Sequence, residues 1–469
     1  MEDFRLVQPR CVPPLEEGFR PAVLANRQFR QELQDAGGGL PLALALERAD
    51  GSVSRFETQV FSDEHTRSPA NLAYAERLVK FLLWQRGGWK VVVGGPRRIG
   101  DYIQHCYSPE GPRAFDYHFM GEDVYERTFR VVSCSATDAP RQHEREQSLG
   151  RHLDGYRIGF DLGASDVKVS AVVEGQAIFS REVVWEPRRQ ADPQYHYAQI
   201  MALLKEAAAH MPRVDAIGGS AAGVYVNNRM MIASLFRGVP KDRFHEARNL
   251  FLRMRDELGA PLEIVNDGEV TALAGSMSLE DNGVLGIALG SSEAGGYVTG
   301  QGNITGWLNE LAFAPIDYSP QAPSDEWSGD RGVGAQYLSQ QCVFRLAPRA
   351  GIRIPEDITD AEKLEFVQER LEAGHAGATL IWQSMGYYMG YAIAHYADFY
   401  EELKHVLILG RCTSGCGGPL ILQGAQEVLT SEFPELAGRI NIQLPDEKSR
   451  RVGQSIAAAS LPEIRGREV

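Results

Sequence analysis

At 469 residues, the chain is too long for one simple core, and two or three domains are expected. Hydrophobic residues make up 43% of the chain and charged residues 23%, which is typical of an ordinary globular protein. The net charge of −14 argues against a general nucleic-acid binder, because contacts with phosphates need clustered Lys and Arg side chains.

The sequence predicts a cytoplasmic protein with no membrane partner. No apolar run reaches the roughly 20 residues needed to cross a bilayer. The N-terminal residues MEDFRLVQPR lack the cationic start and apolar core of a secretory signal. The six cysteines form no C-x-x-C pair, so free thiols in a reducing cytoplasm are the simplest account.

The first 150 residues predict a small α/β unit that ends in a polar linker. The predicted elements are a hairpin over 40–61, an amphipathic helix over 71–84, a buried strand over 89–93, a short helix over 99–106 and a strand over 125–133. Residues 1–39 show no clear period, and the polar stretch 136–154 marks the domain boundary. Because Lys and Arg are balanced by Asp and Glu, no DNA-reading element is predicted here.

Residues 156–175, which read YRIGFDLGASDVKVSAVVEG, are typical of a β-hairpin that holds a phosphate. Two apolar runs of strand type flank a loop that contains Asp161, Gly163, Ala164 and Ser165. Small residues let backbone N–H groups and the Ser165 hydroxyl approach an anion, while the Asp161 carboxylate can hold Mg²⁺ directly or through water. The alternative is an ordinary hairpin with an Asp at its turn.

A second polar position is predicted where a buried strand over 261–265 ends at Asn266 and Asp267, just before a helix. Open α/β sheets place their ligands at the C-terminal ends of such strands. The alternative is that Asn266 and Asp267 only cap the helix, as Asn and Asp often do. Position in the sequence does not separate these two interpretations.

The stretch 284–299, VLGIALGSSEAGGYVT, repeats the pattern of strand, small-residue loop and strand. The repeat predicts a duplicated fold in which each half offers one loop to the same phosphate chain. The elements predicted after it are a long core helix over 377–400, a strand over 406–410, a helix over 420–429 and a small-residue helix over 452–460.

With these features in this order, residues 156–462 resemble the ROK family of sugar kinases and related repressors, within the actin/hexokinase/Hsp70 superfamily. The resemblance rests on FDLGASDVKVSAVV, IGGSAAGVYVNNRMMIASLFRG, IVNDGEVTALAG, LGIALGSSEAGGYV and MGYYMGYAIAHY…HVLILG. It implies an α/β fold, namely a two-lobed actin-like, ribonuclease H-like duplication preceded by the small N-terminal α/β unit. The implied domains are an N-terminal extension and linker over 1–150, a first lobe over 151–267 against which a C-terminal helix over 452–462 packs back, and a second lobe over 268–451.

The resemblance implies phosphorylation of a sugar or sugar-like polyol hydroxyl that depends on ATP and Mg²⁺. Asp267 stands at the position of the family's general base, Asn266 and Glu310 stand at sugar-contacting positions, and Asp161 stands at the Mg²⁺ position. The other positions implied for cofactor binding are Gly163 and Ser165 in the first phosphate loop, Ser291, Gly295 and Gly296 in the second, and Gly410 and Gly415 near the nucleotide. Family members are commonly dimers, so a homodimer is expected.

The sequence departs from the family pattern near the sugar and near the phosphates. Phe313 replaces the usual His, and the zinc-binding Cys cluster that normally follows is missing, so no structural zinc is predicted. Ala335 stands where the family has a Glu two residues before Tyr337. Glu293 lies inside the second phosphate loop, where a carboxylate would repel ATP unless it points away or pairs with a cation.

These departures leave three hypotheses open. The first is an ATP- and Mg²⁺-dependent kinase of a sugar or polyol. The second is a catalytically impaired sensor that binds a sugar or nucleotide on the same fold. The third is a scaffold whose first 150 residues bind a partner, because fold alone does not establish activity.

Overall fold

The structure is a computed structural model and describes residues 4–144, 149–163, 165–444 and 447–464. Its contacts divide the chain into two compact units. Unit 1 consists of Met1–Arg145, Ile287–Gly295 and Trp307–Leu444. Unit 2 consists of Glu146–Gly286, Gly296–Gly306 and Pro445–Val469.

The regular elements of the described residues alternate between helices and strands. The α-helices are α1 Ala22–Asp35, α2 Ala70–Arg86, α3 Arg97–Cys106, α4 Ala114–His118, α5 Pro193–Ala208, α6 Phe244–Arg248, α7 Leu250–Leu258, α8 Asp267–Leu279, α9 Gln340–Leu346, α10 Asp360–Glu372, α11 Ala376–Tyr396, α12 Gly417–Glu432, α13 Pro434–Ala437 and α14 Glu447–Ala459. The strands are β1 Leu40–Glu47, β2 Val53–Val60, β3 Lys90–Gly94, β4 Arg130–Cys134, β5 Tyr156–Leu162, β6 Asp166–Val173, β7 Gln176–Val184, β8 Ala216–Ala221, β9 Val224–Val226, β10 Arg229–Ile232, β11 Leu262–Asn266, β12 Val284–Leu289, β13 Glu293–Val298, β14 His405–Leu409 and β15 Asn441–Gln443.

The main sheet of unit 2 has five strands in the order β11-β8-β5-β6-β7. Strands β5, β6 and β7 form an antiparallel meander, whereas β8 and β11 run parallel to β5. One face of the sheet buries apolar side chains such as Ile158 and Phe160 in a core that includes Leu204 and Phe251. Parallel strands place their C-terminal ends at one edge, so β5, β8 and β11 all end on the same side of this sheet.

The last helix, α14, packs against the other face of the same sheet. Glycines make this close approach possible: a Cβ on Gly159 would lie 1.8 Å from the Ser455 carbonyl oxygen, and one on Gly218 would lie 1.6 Å from that of Ala458. The Ser170 and Ser455 hydroxyls also hydrogen-bond at 2.9 Å. The C-terminal helix therefore packs on β5 and β8 of unit 2.

Unit 1 contains a four-stranded sheet formed by N-terminal residues, in the order β2-β1-β3-β4. The β1–β2 hairpin turns at Gly51, whose φ is +85°, as the Asp-Gly pair predicts. Helix α2 is buried along almost its whole length, including charged side chains such as Arg77 and Lys80. A helix that is buried on all sides must have its charges paired, and Arg77 pairs with Glu76 at 2.7 Å and Lys80 with Asp116 at 2.6 Å.

Another four-stranded sheet has the order β13-β12-β14-β15. This order repeats the order β6-β5-β8-β11 of unit 2, as the predicted duplication requires. Helices α11 and α12 pack closely, because Gly386 and Gly424 each leave no room for a Cβ against the backbone of the other helix. The α/β class and the two-lobed actin-like fold predicted from the sequence are confirmed by this topology together with the comparison reported below.

The N-terminal residues depart from the prediction in three elements: α1 and α4 were not predicted, and the strand predicted over 125–133 is the shorter β4, Arg130–Cys134. Residues 22–35 of the stretch 1–39 form α1, although no period was recognised there. The helix buries Ala22, Ala25, Phe29 and Leu33 at helical spacing, but the Arg and Gln residues between them obscure that pattern. No side-chain cap marks its start, which follows Pro21.

The boundaries of the two compact units differ from the domain boundaries predicted from the sequence. The N-terminal residues share unit 1 with Trp307–Leu444 rather than standing alone. Helix α8, which the sequence analysis placed after a boundary at residue 267, belongs to unit 2. The assignment of 151–267 and 268–451 to two lobes stays a prediction.

Among the helices of the described residues, none combines the length and the apolar character needed to cross a membrane.

Candidate functional site

Two predicted acidic residues lie at the same edge of the unit 2 sheet. Asp161 is near the C-terminal end of β5, and Asp267 directly follows β11 as the first residue of α8. Strand β8 lies between β5 and β11, with Ser220 in register with Asp161. The Ser220 side chain hydrogen-bonds the Asp161 carboxylate. The sheet topology thus brings together two carboxylates that stand 106 positions apart in the sequence.

The electrostatics of this edge favour proton exchange at Asp267. Desolvation, followed by the charge of Asp161, raises the pKa of Asp267 from 3.8 to about 6. Burial likewise raises the pKa of Asp161, while its Ser220 hydrogen bond and Lys168 act in the opposite direction. Asp267 keeps part of its side chain accessible, as a base that must reach a substrate requires. Two raised carboxyl pKa values side by side are typical of a catalytic position.

Asn266 caps helix α8, as one of the two sequence interpretations holds. Its Oδ1 accepts a hydrogen bond from the Gly268 N–H at 2.8 Å, and its Nδ2 donates to the Gly223 carbonyl at 2.8 Å. Asp267 Oδ1 also accepts from the Gly268 N–H, at 3.0 Å. These bonds fix the orientation of both side chains at the positive end of the helix. Contact between Asn266 and a sugar stays a prediction.

The loop predicted to be the first phosphate contact lies between β5 and β6. The Gly163 N–H donates to the Asp166 carbonyl at 2.8 Å, and the Gly163 carbonyl accepts from Trp185 Nε1 at 2.9 Å. Ser165 is exposed, and its hydroxyl donates to Asp166 Oδ2 at 3.1 Å. Ala164 lies outside the described residues. The loop is therefore held by its own flanks, with the Ser165 hydroxyl at the surface.

The second phosphate loop, in unit 1, presents Ser291 and Ser292 to solvent and turns Glu293 inward. Glu293 is only 1% exposed, and its Oε1 accepts a hydrogen bond from the Tyr396 hydroxyl at 2.8 Å. Burial raises the pKa of Glu293 from 4.5 to about 8, so the group is mostly neutral at pH 7. The Glu293 side chain thus points away from the loop surface, which was one of the two conditions stated for it in the sequence analysis.

Two of the unit 1 glycines that were predicted to bind the cofactor, Gly295 and Gly410, lie close to neighbouring backbone. A Cβ on Gly295 would lie 2.8 Å from the Asn309 carbonyl oxygen, one residue before Glu310. Gly410 has a φ of +102°, and its Cβ would lie 2.5 Å from the Leu289 carbonyl oxygen at the base of the second loop. Gly415 stands apart from this group, exposed and beside Glu372.

Gly296 lies in unit 2, directly against the first turn of α8. Its Cβ would lie 2.1 Å from both the carbonyl carbon and the carbonyl oxygen of Gly268. Replacing Gly296 with Ala is therefore expected to lower stability by about 1–3 kcal/mol, because backbone would have to move. Gly306→Ala is the matched control, since a Cβ there meets nothing within 4 Å. The melting temperature checks this, and equal losses in the two variants would contradict the close packing.

Three residues that lie beside predicted site residues were not themselves recognised from the sequence: Ser220 and Tyr225 in unit 2, and Asn309 in unit 1. Ser220 contacts Asp161, and the charge of Asp267 acts on the partly buried Tyr225, whose hydroxyl pKa is raised mainly by desolvation. Asn309 adopts a left-handed φ of +49° and is 1% exposed. The position of Ser220 at a strand end was a usable signal; Tyr225 and Asn309 carry none.

The donor set suits Mg²⁺ better than zinc. Asp161 offers hard carboxylate oxygens, and Mg²⁺ is commonly held by one or two carboxylates together with substrate phosphates. Among the described residues, no three His, Cys, Asp or Glu side chains cluster so as to hold a metal ion.

Phe313, which replaces the His of the family pattern, lies in an aromatic cluster. The centre of its ring lies 4.3 Å from that of the Trp84 ring, and the cluster also contains Phe115 and Phe119.

Comparison with known proteins bears on the fold. No protein-family model matches the sequence, and no curated protein matches it. Among solved structures, a ROK family transcriptional regulator, a homologue of the E. coli MLC protein, matches with a TM-score of 0.50 at 16% identity, covering 66% of this chain and 79% of the other. A ROK hexokinase from Thermus thermophilus matches with a TM-score of 0.49 at 15% identity, covering 65% and 98%. A ROK glucokinase from Streptomyces griseus, in complex with glucose and AMPPNP, matches with a TM-score of 0.47 at 20% identity, covering 65% and 99%.

The fold and the acidic edge of its sheet define an α/β protein of the two-lobed actin-like class. Within that class, the chain has the ROK fold, as the resemblance in the sequence predicted.

Proposed function

We propose that this protein transfers the γ-phosphoryl group of ATP to a hydroxyl of a sugar or sugar-like polyol. The observation that carries the proposal is the pair of carboxylates, Asp161 and Asp267, at one edge of the unit 2 sheet with raised pKa values. A general base works best when its pKa lies near the operating pH, and a value of about 6 meets that condition.

Asp267 is the proposed base, which takes the proton from the sugar hydroxyl as its oxygen attacks phosphorus. Its place at the N-terminus of α8, fixed by the Gly268 N–H, supports an orientation that does not change during the reaction. Asp161 would hold Mg²⁺, which when bound neutralises charge on the phosphates of ATP. Asn266 and Glu310 are the proposed sugar contacts.

The two small-residue loops are the proposed phosphate contacts. Gly163 and Ser165 serve in the first, and Ser291, Gly295 and Gly296 in the second, where backbone N–H groups and hydroxyls can meet oxyanions. The inward, neutral Glu293 supports this role, because the loop surface carries exposed Ser hydroxyls instead of a carboxylate. The proposed nucleotide contacts further along the chain are Gly410 and Gly415.

A second candidate function is a sensor that binds a sugar without phosphorylating it. Two positions favour it: Phe313 is packed among aromatic rings, and Ala335 is buried, so neither can supply a polar contact to a sugar. The solved structures that share the fold include a transcriptional regulator as well as hexokinases. Fold alone does not choose between the two functions.

The deciding experiment measures ATP turnover with Mg²⁺ against a panel of sugars and polyols. The panel contains D-glucose, D-mannose, N-acetylglucosamine, N-acetylmannosamine and D-glucitol. We expect sugar-dependent ADP release with at least one of them, above ATPase activity without acceptor. Binding of a panel member by calorimetry without any turnover would favour the sensor, and neither binding nor turnover would refute both.

A further inference from the structure

The C-terminal end of α2 is joined by main-chain hydrogen bonds to residues 307–313, here called the Glu310 segment. The Asn309 N–H donates to the Gln85 carbonyl at 2.8 Å, and the Glu310 N–H donates to the Trp84 carbonyl at 3.0 Å. The last four carbonyls of a helix have no partner within the helix, so outside donors matter there. Two of these four carbonyls are thus satisfied by the Asn309–Glu310 backbone.

Side chains at the end of α2 contact the same segment. The Trp84 ring lies 4.3 Å from the Phe313 ring, and the Arg86 guanidinium lies 4.9 Å from the centre of the Trp307 ring. Gly87 follows the helix with a φ of +76°, and a Cβ there would lie 2.2 Å from the Tyr125 hydroxyl oxygen and 2.9 Å from Leu308 Cγ. Consecutive residues 84–87 therefore contact both flanks of Glu310.

Asn309 is held in its left-handed conformation from the opposite side as well. The Tyr400 hydroxyl donates to Asn309 Oδ1 at 2.8 Å, and the residue is almost fully buried. A non-glycine residue with positive φ persists only where the surroundings determine it. The direction in which the chain leaves Asn309, and with it the position of Glu310, therefore depends on the contacts with α2.

A buried charge cluster fixes α2 itself and the loop that follows Phe313. Lys80 Nζ lies 2.6 Å from Asp116 Oδ1, which also accepts from Trp84 Nε1 at 2.6 Å. Asp330, in the loop, pairs with Arg113 at 2.6 Å and with Arg77 at 3.4 Å. Buried ion pairs of this kind contribute to a unique geometry more than to stability. Residues 307–330 are thus tied to N-terminal residues at both ends.

We propose that the N-terminal α/β residues form a positioning element of the substrate site, in which Trp84 and Gly87 at the end of α2 set the position of Glu310. This inference rests on the proposed function in one respect, namely that Glu310 contacts the sugar. It assigns to the first 150 residues a role within unit 1 itself, in place of a separate module that recognises a partner.

The test compares two glycine variants in the same part of the chain. Gly87→Ala places a Cβ against the Tyr125 hydroxyl and Leu308, whereas Gly51→Ala, at a φ of +85° in the β1–β2 turn, meets nothing within 4 Å. Both variants place a side chain at a positive φ, but only a Cβ at position 87 meets the Glu310 segment. The readouts are KM for the panel sugar that gives turnover, KM for ATP, kcat and the melting temperature.

We expect Gly87→Ala to raise the sugar KM about tenfold or more while KM for ATP stays within about twofold, because small misplacements of a contact are costly. Gly51→Ala should leave both constants unchanged. An unchanged sugar KM in folded Gly87→Ala, or equal changes in both variants, would overturn the inference and leave the kinase proposal standing.

A second pair of variants covers the case in which Gly87→Ala does not fold. Phe313→Leu removes the ring contact with Trp84 and should weaken sugar binding, whereas Phe313→Tyr keeps the ring and should restore it. If the wild type binds one of the panel sugars without turnover, the dissociation constant from calorimetry replaces KM, and the same comparison decides. If no panel sugar binds at all, the inference and the proposed function both fail.

Discussion

Replacing Asp267 with Asn is expected to lower kcat for sugar phosphorylation about 10²–10⁴-fold, the usual contribution of a general base. The amide of Asn has the same shape and can still accept the Gly268 N–H bond that Asp267 Oδ1 accepts at 3.0 Å. It cannot take a proton at neutral pH. The loss therefore reports on proton transfer and leaves the helix start intact, and initial-rate assays with saturating ATP and sugar measure it.

The melting temperature separates loss of a base from loss of the fold. The pKa of Asp267 is raised to about 6 in the folded protein, so the ionised carboxylate costs stability above that pH. An uncharged Asn avoids that cost, and the variant should melt at the same temperature as the wild type or slightly higher at pH 8. Inactivity combined with a lower melting temperature would point to misfolding instead.

Asp192→Asn is the matched control for this substitution. Asp192 also stands at a helix start in unit 2, where its side chain accepts the Gln194 N–H at 3.1 Å, but it is exposed and has no proposed role in the reaction. Its replacement should leave kcat and KM unchanged. Turnover by Asp267→Asn within a few-fold of the wild type would show that another group is the base.

Local sequence pattern was sufficient to predict the acidic edge of unit 2. The alternation of apolar runs with small-residue loops predicted β5, β6 and β11 within one or two residues. The sheet topology then places the two residues together, because β5 and β11, the parallel neighbours of β8, end at the same edge of the sheet. Correct placement of these strands from the sequence is therefore enough to predict that Asp161 and Asp267 lie at one edge.

The direction of Glu293 could not be predicted, because it depends on residues far away in the chain. The hydroxyl that donates to its Oε1 belongs to Tyr396, and its Oε2 would lie 2.0 Å from a Cβ on Gly334. Neither contact has a signature near residue 293. The link between Asn309 and Gln85 is of the same kind, since main-chain bonds leave no trace in side-chain identity.

The position of the N-terminal residues also bears on the scaffold hypothesis. A module that only recognises a partner would keep its charges for its own fold or surface. Here Arg77, Lys80 and Arg113 form ion pairs with Asp330. The carbonyls of Trp84 and Gln85 accept hydrogen bonds from the backbone of the Glu310 segment. This arrangement favours a site-forming role, and partner recognition gains no support from it.

Glu293→Gln is expected to change how stability depends on pH. Burial raises the pKa of Glu293 from 4.5 to about 8, so between these values the folded protein holds a proton that the unfolded chain has released. Wild-type stability therefore falls as pH rises from about 4.5 to about 8 and then levels off, by about 3–5 kcal/mol from this group. Gln carries no titrating proton, so the melting temperature of the variant minus that of the wild type should grow by several degrees between pH 5 and pH 8.5.

Glu365→Gln in the same unit is the control, because it makes the same substitution at an exposed position on α10. A melting-temperature difference that stays constant across the pH range for Glu293→Gln would contradict the buried, neutral carboxyl.

The ionisation of Glu293 also provides a test of the loop's proposed contact with phosphates. Ionisation of Glu293 above pH 8 puts a negative charge beneath Ser291 and Ser292, so KM for ATP should rise there in the wild type and rise less in Glu293→Gln.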